Sequence, residues 1–123
     1  MKEPKPLRER RGSVRIAERL PFKISGREYA TEAVTVNVST RGALCLIGDN
    51  IPVMTQLKIA LSLPTDSKGA RRDKVISMKG VVVRKESSAS GNLSLIAVYF
   101  SEIKPADRQA LEQFIKNRIS TRA

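Results

Sequence analysis

The chain has no histidine, no tryptophan and one cysteine, and aromatic residues make up only 4% of it. Without imidazole, the commonest general base and the commonest nitrogen ligand for zinc are missing. One cysteine excludes an internal disulfide framework and fits a reducing compartment. Cys45 lies in the apolar run Ala43-Leu44-Cys45-Leu46-Ile47, which suits a buried thiol better than a reactive one. The shortage of aromatics leaves base stacking to arginine guanidinium planes. No apolar run approaches the roughly 20 residues that span a bilayer, and no apolar signal core follows the basic start. The chain therefore reads as soluble and cytoplasmic, with no membrane span. Neither a GxxxxGK(S/T) loop nor a GxGxxG fingerprint is present. The Asp and Glu residues scatter without a paired arrangement on one surface. These absences argue against an enzyme and for a binding protein.

Positive charge is abundant. Lys and Arg number 23 against 12 Asp and Glu, a net charge of +11. Such a balance calls for an anionic partner, whether nucleic acid, an acidic membrane or a small phosphorylated ligand. At 123 residues, one domain with its own core is the simplest organisation.

The charge is dense at the start. Residues 1–15 hold Lys2, Lys5, Arg8, Arg10, Arg11 and Arg15, with Pro4, Pro6 and almost no apolar period. This predicts a basic arm, disordered when nothing is bound, ahead of a folded unit over 16–123. Leu20, Phe22 and Ile24 alternate with polar residues, and Ser25-Gly26 turns the chain into a strand from Tyr29 through Ser39. The run Ala43–Ile47 reads as the returning strand. Leu57, Ile59, Leu61 and Leu63 repeat with a period of two. The polar stretch Pro64–Lys74 reads as an exposed hairpin loop. Val75–Lys85 forms a fifth strand, with Gly80 at a bulge or bend, and Asn92–Phe100 a sixth. Pro105 suits the first turn of a helix over 105–119, and Asp107 favours its positive end. Leu111, Phe114, Ile115 and Ile119 fall on one face of that helix. Six short strands and one helix predict a mainly β chain, a small antiparallel barrel with the helix packed on it.

Two stretches carry the functional reading. The first is Arg10-Arg11-Gly12-Ser13-Val14-Arg15, at the junction of arm and barrel. The second is Asn37-Val38-Ser39-Thr40-Arg41-Gly42. If Val34, Val36 and Val38 face the core, Asn37 and Ser39 point together onto an open surface. Gly42 ends the polar run, where chain reversal or close backbone approach to a ligand favours a residue without Cβ. Arginine suits an anion site because its fork hydrogen-bonds phosphate bidentately and its plane stacks on a purine. Plainer readings stand beside these: a basic tail that aids solubility or touches nucleic acid loosely, a solvated strand face, a turn glycine.

Considered together, the two stretches resemble the PilZ domain family. Arg11 and Arg15 match the arginines of its RxxxR motif, and Asn37, Ser39 and Gly42 match its (D/N)xSxxG motif. Their order and separation, with strands and a terminal helix following, extend the resemblance over nearly the whole chain. It implies a six-stranded β-barrel with a C-terminal helix that binds cyclic di-GMP, a bacterial second messenger. Arg11 and Arg15 would then clamp phosphates and guanine, with Arg10 an auxiliary contact. Asn37 would meet a guanine edge, Ser39 would bond ligand or motif backbone, and Gly42 would permit close approach. No metal or catalytic cofactor is implied. On this reading the arm closes over the ligand and the signal passes to an effector protein. A basic barrel that binds RNA or DNA through the phosphate backbone is the alternative, carried by the net charge. A motif-bearing module whose partner binding matters more than its ligand is a third.

Overall fold

Leu57, Ile59, Leu61 and Leu63 all turn inward, none more than 2% exposed. They line a strand of a computed structural model that describes residues 14–26, 30–48, 50–67, 70–87 and 93–122. Its strands are β1 (Pro21–Ser25), β2 (Ala30–Val38), β3 (Gly42–Ile47), β4 (Gln56–Ser67), β5 (Ala70–Ser87) and β6 (Ser94–Ile103). They close an antiparallel barrel in the order β1-β2-β3-β6-β5-β4, and helix α1 (Pro105–Arg122) follows. Among the described residues, no helix is long and apolar enough to cross a membrane.

The polar stretch expected as a hairpin loop is instead paired strand over 64–67 and 70–74. β4 and β5 stay in register through Pro64↔Asp73, Thr65↔Arg72, Asp66↔Arg71 and Ser67↔Ala70. Hydrophobic period detects a strand only where one face is buried, whereas a hairpin satisfies its backbone groups whatever its side chains. β6 runs three residues past Phe100, to Ile103. The register shifts beside Gly80, but with Lys79 against Glu102 and Gly80 against Phe100 the extra residue is Ser101 of β6; a second shift between Val82 and Arg84 leaves Val83 extra on β5.

Strand β2 corrects the sequence reading most. Ala33, Thr35 and Val38 are buried, while Val34 is 41% exposed. Thr35 pairs with Cys45 but Asn37 pairs with Leu44, so Val36 is an extra residue on β2. A bulge of this kind flips every later side chain to the other face. Before it the odd-numbered residues point inward; after it Val38 does.

The helix buries Leu111, Phe114 and Ile115 against the barrel, each a contribution of about 1.5–3 kcal/mol when fully covered. Ile119 was expected on the same face but is 40% exposed, one turn beyond the contact. Asp107, in the first turn, accepts a hydrogen bond from the Ser77 amide at 3.4 Å. Cys45 is fully buried, and burial pushes its thiol up to about 12.

Candidate functional site

The chain entering the barrel is fastened along β2. Ile16 and Val38 exchange backbone hydrogen bonds, each amide donating to the other's carbonyl at 3.0 Å. Further on, the Thr35 amide donates to the Leu20 carbonyl at 3.1 Å. The Thr35 hydroxyl accepts from the Leu20 amide at 2.8 Å and donates to the Glu18 carbonyl at 2.6 Å. A buried threonine thus replaces the ladder bonds that an irregular segment lacks. The valine alternation points the other way for this role, since Thr35 lies before the bulge among the inward odd-numbered residues.

This fastening brings the two motifs together. Arg15 stands immediately before the Ile16–Val38 bridge, and Asn37 immediately precedes Val38. The Arg15 Nη1 donates to the Asn37 Oδ1 at 2.8 Å, across 22 residues of sequence. Arg15 is exposed and Asn37 half-buried, so the pair faces solvent at the barrel wall. An amide oxygen has two lone pairs, so Asn37 can accept a second donor while it holds the guanidinium. The corner therefore offers a fixed cation beside an amide edge. Arg10 and Arg11 lie outside the described residues.

Ser39 and Gly42 do different work. Ser39 does not share the open surface with Asn37, as the simple alternation would have it; it is fully buried. Its hydroxyl accepts from the amides of Arg41 at 3.1 Å and Gly42 at 3.2 Å, and donates to the Gly42 carbonyl at 3.3 Å. Its own amide donates to the same carbonyl at 2.8 Å. One donor and two lone pairs are then all used. Ser39 closes the turn that swings β2 into β3 and presents Thr40 and Arg41 outward. Gly42 meets the β6 backbone: a Cβ there would lie 2.3 Å from the Val98 carbonyl oxygen.

Glu18 extends the fastening to the helix. Its carboxylate takes hydrogen bonds from the Arg118 Nε at 3.1 and 3.2 Å, and the Arg118 guanidinium sits 4.6 Å over the Phe114 ring. The segment carrying Arg15 is therefore tied both to β2 and to α1. Sequence inspection missed Glu18 and Arg118, which lie 100 residues apart.

The PilZ domain family model matches residues 9–117. This chain belongs to the PilZ domain family. Two solved structures share its fold. The Bacillus subtilis inhibitor of motility, MotI/DgrA, aligns at a TM-score of 0.75 and 22% identity, over 90% of this chain and 52% of that one. The PilZ domain of YcgR from Escherichia coli, solved with c-di-GMP, aligns at a TM-score of 0.60 and 14% identity, over 88% and 90% of the two chains. This chain therefore spans about half the length of MotI (52%). No curated protein matches it in sequence. In this fold Arg15 lies on the segment that enters the barrel and Asn37 near the end of β2, and the Arg15–Asn37 hydrogen bond joins the two motifs.

Proposed function

We propose that this PilZ protein is a cyclic di-GMP receptor, not an enzyme, and that its ligand binds where Arg15 meets Asn37. The observation that carries the reading is the 2.8 Å hydrogen bond joining the RxxxR and (D/N)xSxxG motifs. Family membership supports it, as does the likeness to a YcgR domain solved with c-di-GMP. In this reading Arg15 and Arg11 hold the phosphates and stack on guanine, with Arg10 assisting. Asn37 accepts from the guanine edge through its remaining lone pair. Ser39 holds the turn in shape, and Gly42 lets β3 lie close against β6.

Residues 1–15 form the basic arm of the proposed receptor and close over the ligand, while 16–123 form the barrel and helix. Because the segment after Arg15 is tied through Glu18 to Thr35 and Arg118, movement of the arm has a path to α1 and from there to a protein partner. The proposed receptor is cytoplasmic, which its single cysteine fits.

Calorimetric titration tests the reading. Cyclic di-GMP should bind, and Arg11→Ala and Arg15→Ala should each weaken it about tenfold to a hundredfold, the loss of a charge-assisted contact of about 1.5–3 kcal/mol. Asn37→Ala, which removes a neutral hydrogen bond of about 0.5–1.5 kcal/mol, should weaken it about twofold to tenfold. Cyclic di-AMP carries the same charge but a different base edge, so it should bind far more weakly. Two phosphates hold no condensed counterion atmosphere, so the salt dependence should be shallow. Tight, steeply salt-dependent binding of a random oligonucleotide with no response to cyclic di-GMP would put the nucleic-acid reading first.

A further inference from the structure

Five strands present a continuous outward row away from the motif corner. Ala30 stands beside Ser25, Ser25 beside Lys58, Lys58 beside Lys79, and Lys79 beside Glu102. A neighbouring row sets Glu32 beside Lys23, and Lys23 beside Ala60. These residues, with Lys104 just before the helix, line a cavity of about 1060 Å³. Arg15, Asn37, Ser39 and Gly42 do not line it.

Lys58 and Lys79 are direct cross-strand neighbours, an arrangement that destabilises a sheet when the charges are alike. Lys79 is answered by Glu102, with Nζ 3.5 Å from Oε1. Lys23 and Lys104 bring further positive charge to the same cavity, so four lysines face two glutamates. An anionic group seated at Lys58 would relieve the repulsion. The row crosses four strand intervals of about 4.8 Å, roughly 19 Å in all, the length of about six extended residues. Its charge is mixed, and that decides between two classes of anion. Glu32 and Glu102 repel a uniformly charged phosphate backbone, whereas they can pair with an occasional lysine or arginine of a polypeptide.

We propose that this groove docks an acidic polypeptide segment of a partner protein, with Lys58 and Lys79 at the centre of the contact. The inference goes beyond the receptor reading, since the groove shares no residue with the motif corner, and its test needs no dinucleotide.

The experiment is a nuclear magnetic resonance titration of the full chain with an acetylated hexapeptide of alternating aspartate and leucine. An asparagine-leucine hexapeptide and a thymidine hexanucleotide serve as comparisons. Saturable amide shifts should concentrate at residues 23–25, 58–60 and 77–79, with no such response to the asparagine peptide. Lys58→Glu should weaken the binding about tenfold or more. A Lys58→Gln/Lys79→Gln double variant, which relieves the same repulsion without reversing charge, should do likewise while keeping a dispersed spectrum. Shifts scattered over the basic surface, binding that survives the double variant, or a stronger response of these amides to the hexanucleotide would each overturn the proposal.

Discussion

Gly42→Ala should damage the barrel itself. The added Cβ would lie 2.3 Å from the Val98 carbonyl oxygen, 3.3 Å from its carbonyl carbon and 3.4 Å from the Tyr99 Cα. All three are backbone atoms of β6, so no side-chain rotation relieves them. Optimal non-bonded separations are about 3.5–4.0 Å, so β3 and β6 would have to part locally by about 1 Å. Gly42 pairs with Tyr99 at the start of the β3–β6 ladder. Overpacking costs about 1–3 kcal/mol, and each weakened ladder bond about 0.5–1.5 kcal/mol more. A total of about 2–4 kcal/mol is a large part of the roughly 5–15 kcal/mol that holds a domain folded. Two other glycines calibrate the effect. At Gly80 the nearest atoms are the tips of Ile59 and Val98, both 2.7 Å away, which can partly yield; at Gly48 nothing lies within 4 Å. Urea denaturation should therefore rank the alanine variants Gly42, then Gly80, then Gly48, with the last close to wild type. If Gly42→Ala is as stable as Gly48→Ala, close strand approach is not why glycine stands there.

Three further outcomes follow from the geometry. Thr35→Val keeps the shape but strips the Leu20 amide and the Glu18 carbonyl of their partner, so it should lower unfolding free energy by about 1–3 kcal/mol per group left unpaired; a urea midpoint equal to wild type would refute the fastening role. Arg118→Ala removes the ion pair to Glu18 and the stacking on Phe114, worth about 1 kcal/mol together. It should speed hydrogen exchange at the Ile16 and Leu20 amides, and unchanged exchange there would break the proposed link between helix and entry segment. The Cys45 thiol rises from 9.0 to about 12 on folding, so the folded state keeps a proton that the unfolded chain releases. Its contribution is whole below pH 9 and is lost between pH 9 and about 12, at a slope approaching 1.4 kcal/mol per pH unit. Wild type should lose stability over that window faster than Cys45→Ala; parallel curves would contradict the burial of the thiol.

Much of this architecture was legible from local patterns. The alternation at Leu57–Leu63, the amphipathic spacing at Leu111, Phe114 and Ile115, and the proline and acid that start α1 are each recorded within a few residues. Each depends only on which side chains avoid water at a strand or helix period. The two motifs were readable for the same reason, as fixed residue types at fixed short spacings. What the residues could not declare is who pairs with whom. At Val36 β2 carries one residue more than the β3 segment it faces, so Val38 turns inward as Thr35 does before it, while Asn37 stays outward beside Arg15. The polar end of the β4–β5 hairpin is strand because its partner supplies hydrogen bonds, not because its side chains seek a core. The Glu18–Arg118 pair and the lysine groove join residues brought together only by barrel closure. Hydrophobic period is a local property of the chain, whereas register, bulges and convergent charge arise from contacts between distant segments, and tertiary structure alone decides those.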